Sequence, residues 1–387
     1  MPDNKYSKDY SSYFKLDADI IHLNHAAVGP WPIATANAVK AFADENVRLG
    51  SRNYAKWLQC ETDLRQKLAS LINAPSPDDI ALLKNTSEGL SFIAQGIAWK
   101  AGDNIVIPAE EFPSNRIVWQ SLESQGVELR RVDFKNMAAC NTDSPEQQLI
   151  EAMDKNTRLL SCSSVQYASG LRLDLEAIGD ACQKQQVFFC VDAIQSLGAI
   201  CFDAQAVHAD FVVADGHKWL LAPEGLALFY CRSEVRDQLQ LREFGWHMVD
   251  KQYDFEELEW QPARSARRFE CGSPNMMGVA ALNATLDVLF EIGMERIEAA
   301  VLHNSTYLFE ALSKLGTELL SPDSSLRRAG IVTFNKQQIP ADTLYSYLVE
   351  NGVICAMRGG GIRLSPHFHT TEQQMDKAVD LIKNCSI

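Results

Sequence analysis

An α/β fold with a mostly parallel sheet is predicted by two features of the sequence. Short apolar runs rich in Val, Ile, Phe and Cys recur through the middle of the chain, and helical patterns such as LDLEAIGDACQKQQ stand between them. Such runs suit strands covered on both faces, and the intervening helices suit the crossovers that parallel strands require.

Taken in order, NTSEGLSFIAQGI from 85 spaces Leu90, Ile93, Ala94 and Ile97 as a helix face, with Asn85 and Glu88 in a capping-box pattern at its start. The strand-like runs follow: NIVIPA from 104, VELRRVDF from 127, TRLLSCSSV from 157, VFFCVDA from 187, DFVVADG from 210 and LALFYCR from 226. Between 255 and 275, FEELEWQPARSARRFECGSPN loses periodicity and reads as a connection. One long helical pattern then runs from MGVAALNATL to LFEALSKL, followed by strand-like AGIVTFN and GVICAM and a closing helix in TEQQMDKAVDLIKN. The expected organisation is a large domain over 29–262 and a smaller α+β domain over 263–387.

With 387 residues, 46% hydrophobic and 22% charged, the chain has globular composition and can bury a large core. A formal net charge of −14 argues against nucleic acid or an anionic membrane as partner, and favours a small-molecule ligand. No signal-peptide-like core opens the chain and no apolar run approaches about 18 residues, so a soluble, cytoplasmic protein is expected. The ten cysteines form no C-x-x-C pair and sit largely in apolar runs, as reduced core residues do. His22/His25 and His367/His369 complete no recognised ligand spacing, so no metal is expected.

Ligands of open α/β sheets bind beyond the carboxyl ends of the strands. Four runs end in chemistry there: one in Asp192 and Gln195, one in Asp215, His217 and Lys218, one in Gln166, and one in Phe112, Ser114 and Asn115. Thr86 and Ser87 add a helix start suited to phosphate. A lysine after a strand is ordinarily a solvated loop residue. An amine that forms a Schiff base instead needs a carbonyl cofactor, a ring support, a phosphate anchor and a carboxylate for a pyridine nitrogen, and this rim supplies candidates for each.

VDAIQS followed by ADGHKW, together with HLNHAAVGP, NTSEG, EEFPSN, SVQYASG, RFECGSPN and GGGIRLSPHFHTTEQQMD, resembles the class V aminotransferases along nearly the whole chain. These are fold-type I pyridoxal 5'-phosphate enzymes, and the cysteine desulfurase and isopenicillin N epimerase-like branches are the most similar. The resemblance implies a seven-stranded, mostly parallel sheet, residues 1–28 lying near the active site, and a homodimer. It implies Lys218 as Schiff-base lysine and catalytic base, Asp192 at the pyridine nitrogen, Gln195 at the phenolate oxygen, Phe112 on the ring face and Gln166 near the lysine-bound carbon. Thr86, Ser87 and His217 would hold the phosphate, with Gly272 and Ser273 reaching the neighbouring subunit's phosphate. Arg363 would bind the substrate α-carboxylate, and His25 would also contact substrate.

Two departures stand out. Asp215 occupies a place where desulfurases often carry a serine, which leaves its role open. Desulfurases also carry a nucleophilic cysteine on a loop before the matching arginine, whereas here VICAM passes through Arg358 and three glycines, with Cys355 inside the apolar run. The expected reaction is transamination at the α-carbon of an amino acid; the alternatives are C–S lysis by β-elimination, without a persulfide-carrying cysteine, and epimerisation. A binding protein without turnover is a poorer match to the set Lys218, Asp192 and Arg363, and RGGGIR lacks the G-x-G-x-x-G spacing of a dinucleotide site. Side-chain specificity would fall among His25, Trp31, His247, Arg358 and His367.

Overall fold

The computed structural model describes residues 10, 12–134, 144–256 and 258–386; Cys140, parts of the N-terminal segment and one position of the 255–275 connection lie outside the described residues. The chain opens with β1 (Ile21–His22), α1 (Ile33–Leu49) and α2 (Tyr54–Leu71). There follow β2 (Ile80–Leu83), α3 (Thr86–Gly96), β3 (Asn104–Pro108), α4 (Ser114–Gln120), β4 (Glu128–Val132) and α5 (Pro145–Glu151). Next come β5 (Thr157–Ser163), α6 (Leu175–Gln185), β6 (Phe188–Asp192), β7 (Phe211–Asp215), β8 (Ala227–Cys231) and α7 (Ser233–Arg236). The remainder is α8 (Met276–Ile292), α9 (Met294–Lys314), β9 (Glu318–Leu319), β10 (Val332–Asn335), α10 (Ala341–Glu350), β11 (Val353–Ile354), β12 (Ala356–Arg358), β13 (Gly361–Leu364) and α11 (Glu372–Asn384).

Seven strands form the large sheet in the order β2-β8-β7-β6-β5-β3-β4, and only β8 runs against the rest. All six expected strand runs are present; β2 is the one that the run-by-run reading passed over. The apolar runs are continuous because both faces are covered. Val106, Leu160, Val191 and Val212 point into a core shared with α2, α6 and α8, while their neighbours Ile105, Leu159, Cys190 and Val213 point into a second core with α3 and α4. Period-two alternation thus serves two cores at once. Each such side chain contributes about 1.5–3 kcal/mol by burial.

The single long C-terminal helix of the sequence reading is two helices. Gly293, at φ 93°, interrupts the pattern, and the pair is bent by 82°. No single helix among the described residues is long and apolar enough to cross a membrane. Val279, Leu282 and Leu286 of α8 belong to the core under the large sheet, although the sequence reading groups them with the C-terminal unit. Farther along, Leu308 and Leu312 of α9 join a third core with Val332, Phe334, Ile362 and Leu364.

That third core lies against a four-stranded antiparallel sheet, β12-β13-β10-β9. GVICAM divides between two sheets: β11 pairs in parallel with β1, whereas β12 joins the antiparallel sheet. Past Asn24, which bridges Ser365, the chain continues as a strap to the large domain, where Gly29 N donates to His217 O at 2.8 Å. A Cβ on Gly29 would stand 2.4 Å from Lys218 O, so only glycine lets the strap lie this close.

Candidate active site

Because β2, β3, β5, β6 and β7 share a direction, their carboxyl ends meet along one edge. A cleft of about 280 Å³ opens there, and Thr86, Ser87, Phe112, Asp192, Gln195, His217, Lys218 and Arg363 all line it. Eight of the twelve expected site residues are therefore brought together.

Asp192 ends β6 at 1% exposure and accepts a hydrogen bond from Ile194 N at 3.1 Å. Burial, and then the carboxylate of Glu111, push its pKa up. Lys218 is 8% exposed, three residues beyond the end of β7, with Nζ 5.4 Å from the centre of the Phe112 ring. Burial lowers its pKa against the pull of Asp192, and Arg363 lowers it further. Such an amine gives up its proton more readily than a surface lysine does. The turn behind it is strained: buried Leu221 is held at φ 56°, fixed by hydrogen bonds from Leu221 N to Lys218 O and from Ala222 N to Gly216 O.

β2 delivers α3 to the same edge. Asn85 Oδ1 caps the helix by accepting from Glu88 N at 2.9 Å, but Glu88 Oε2 accepts from Lys84 N rather than from Asn85, so the expected reciprocal box is only half formed. Helix geometry leaves the amides of Thr86 and Ser87 without intrahelical partners. Thr86 Oγ1 is buried with no partner, and Ser87 Oγ donates to Ser114 Oγ at 2.9 Å.

Arg363 enters from β13 of the small sheet at 2% exposure. Nη1 donates to Tyr167 O at 2.8 Å, Nε has no partner, and the guanidinium makes no ion pair among the described residues. Burial and then Arg358 lower its pKa. A buried cation without a counterion favours an incoming carboxylate.

Four expected residues do not line this cleft. Gln166 is fully buried, and its Nε2 donates to Glu111 Oε1 at 2.9 Å; Tyr167 takes the place at the wall. Gly272 and Ser273 are exposed on the surface. His25, expected to contact substrate, does not line the cleft: its Nδ1 is 2.9 Å from Ser365 O and its ring packs among those of His22, His367 and His369. Of the specificity candidates only Arg358 lines the cleft. Cys355 lies in the third core, where burial pushes its thiol up to about 12.

The sequence reading missed Glu111, buried beneath Phe112 and accepting from Ser163 N at 2.6 Å; its position beside Phe112 in EEFPSN was the available signal. It also missed the bond from Trp219 Nε1 to Gln195 Oε1 at 2.8 Å, whereas Ala26 to Val28, which line the cleft, belong to the segment 1–28 expected near the site. Asp215 acquires a partner: Oδ1 lies 3.0 Å from His217 Nδ1, an ion-pair contact without hydrogen-bond geometry.

Two larger hollows, of about 640 and 660 Å³, lie elsewhere: Arg172 and Arg327 in one pair with Glu298 and Glu146, while in the other Arg232 pairs with Asp210 and the exposed Arg158 also lines the wall. Among the described residues Glu61, His247 and Glu270 are grouped closely enough for a metal, but Arg65 already bonds both carboxylates.

A buried lysine facing a buried aspartate across the strand ends of this sheet defines a fold-type I pyridoxal-phosphate enzyme. The chain belongs to the aminotransferase class-V family, whose model matches residues 23–377, and pyridoxal phosphate is its cofactor. A probable cysteine desulfurase of Methanothermobacter thermautotrophicus is 30% identical over 380 residues, covering 92% of each chain. The uncharacterized aminotransferase YcbU of Bacillus subtilis is 27% identical over 347 residues, covering 90% of this chain and 89% of its own. Among solved structures, the complex of the cystine C-S lyase C-DES with its reaction product cysteine persulfide superposes with a TM-score of 0.89 at 23% identity, covering 95% of this chain and 98% of that one. At that identity the likeness shows the fold.

Proposed function

We propose that this enzyme is a C–S lyase that cleaves a cysteine-type amino acid carrying a second carboxylate, as cystine does. The observation that carries this reading is one cleft holding two guanidinium groups, Arg363 and Arg358, beside the amine of Lys218 and lined by no cysteine among the described residues. The desulfurase and C–S lyase names of the relatives add support and rank this reaction ahead of the transamination favoured by the sequence alone.

The residues present fit the cofactor. Unpartnered Thr86 Oγ1 and the first-turn amides of α3 suit its phosphate with Ser87 and His217, and buried Asp192 suits its ring nitrogen. Phe112 offers a ring face, Gln195 an amide, and Gln166 backs the site through Glu111. Pyridoxal phosphate, once bound, supplies an electron-accepting ring for the substrate's α-carbon. Arg363 takes the α-carboxylate through its planar fork, and Arg358, at the exposed side, takes the second one. Lys218 binds the cofactor covalently at rest and moves the α-proton during turnover. The sulfur expelled from the β-carbon leaves as sulfide or, from a disulfide substrate, as persulfide, because no cleft thiol stands ready to receive it.

The test supplies cystine, cysteine and other amino acids without a keto acid. Sustained release of pyruvate, ammonia and persulfide is expected from cystine. A single half-turnover that stops until keto acid is added would establish transamination instead.

We further propose a homodimer in which Gly272 and Ser273 serve the partner's cleft. They are exposed and do not line their own cleft, and the preceding segment exposes Phe244, Phe255, Leu258 and Trp260. Light scattering gives the mass, and activity recovered on mixing inactive Lys218→Ala and Ser273→Glu chains would report the shared site.

A further inference from the structure

Both ends of the Gln195 amide are engaged. Trp219 Nε1 donates to Oε1 at 2.8 Å, and Nε2 donates to Ala26 O at 3.1 Å. An indole N–H is donor only, so the atom it meets is the amide oxygen, and the orientation of the amide follows from Trp219. Nε2 carries two hydrogens. Ala26 takes one, and the other remains for a group in the cleft that Gln195 lines.

Trp219 is itself locked. It is fully buried, its carbonyl oxygen lies 3.0 Å from His367 Nε2, and its ring stacks at 6.1 Å on His25. A Cβ on Gly330 would stand 2.4 Å from the ring's Cη2, so the indole occupies a slot with no room for another position. This bond makes use of the residue next to Lys218 and of the strap, neither of which touches the chemistry directly.

We propose that Trp219 is a positioning residue whose indole N–H sets the Gln195 amide to present a donor, rather than its oxygen, to the ring oxygen of the bound cofactor. The inference rests on the assignment of Gln195 to that oxygen. A donor at this point stabilises the oxygen's anionic form, and its loss raises the oxygen's affinity for a proton.

The test is the pH titration of the bound cofactor's visible absorbance in the holoenzyme. Trp219→Phe keeps a ring and loses the N–H; its midpoint is expected to rise by about one pH unit, the scale of one hydrogen bond to a charged group. Borohydride should still trap the cofactor on Lys218. Gln195→Ala should shift the midpoint in the same direction, and Trp219→Phe added to it should shift it no further. A Trp219→Phe enzyme that holds cofactor and titrates as the parent does would reduce Trp219 to packing. Absence of trappable cofactor in the parent would instead refute the cofactor site. If Trp219→Phe does not fold, Gln195→Glu decides, because a carboxylate can offer only oxygen to the ring oxygen. Its midpoint should exceed that of Gln195→Ala, and equal midpoints would overturn the proposal.

Discussion

Asp215 Oδ1 lies 3.0 Å from Nδ1 of His217, two residues further along the same strand end. A carboxylate that looks misplaced beside an expected phosphate site is therefore turned toward an imidazole. The contact holds the imidazole beside the cleft that His217 lines. Asp215→Asn should weaken cofactor binding about tenfold, equivalent to about 1.4 kcal/mol. Titration of cofactor into the cofactor-free protein measures it; tighter binding would mean that Asp215 acts on the phosphate by repulsion.

Lys218→Ala should lower turnover by about 10²–10⁴-fold, the usual contribution of a positioned proton-transfer group, while the protein stays folded. Mass spectrometry after borohydride reduction should find the cofactor attached in the parent and absent from the variant. Retention of the adduct would move the covalent site to another lysine.

The two arginines should separate by substrate. Arg363→Lys loses the planar fork and should raise KM about 10–100-fold for every amino acid tested. Arg358→Ala should raise KM for cystine and leave that for cysteine nearly unchanged. Equal effects on both substrates would remove the second carboxylate from the proposed reaction.

Acid should destabilise the fold through its buried histidines. Burial lowers His22 and His367 to about 4, and holds His25 and His369 well below the ordinary imidazole range. Unfolded histidines bind protons near 6.5. Between about 6.5 and 4 the unfolded chain thus holds more protons, so stability is full at neutral pH and falls as pH drops through that window. The loss at pH 5 is on the order of 1–2 kcal/mol per histidine. Urea midpoints at pH 7.5 and 5 should differ accordingly, and His22→Phe should reduce the difference; a pH-independent midpoint counts against neutral burial.

The strands were legible because a run covered on both faces has a composition that little else shares, as VFFCV and DFVVA illustrate. The cleft residues at their ends were legible for the same reason, since strand direction carries Asp192 and Lys218 to one edge. Gly293 was harder to read, because the apolar spacing continues across it and only its backbone angle turns the helix. The place of His25 away from the cleft wall was not legible, because its surroundings come from a residue 340 positions away, Ser365, a contact that no local pattern announces. Trp219 and Glu111 escaped notice because their hydrogen-bond partners are distant in sequence.

The strap has a bearing on the order of assembly. β1 has no partner in its own neighbourhood; it pairs with Val353 and Ile354, which ribosomes add long after it. The large sheet can form its strand pairs well before then, because β2 to β8 are already made. Ala26 and Gly29 can then bond Gln195 and His217, but the strap's other anchorage, through β11 and Ser365, waits until those residues arrive. Such long-range closure is slow in folding. The wall beside Lys218 is therefore completed late, and a nascent chain that has the sheet still lacks the finished site.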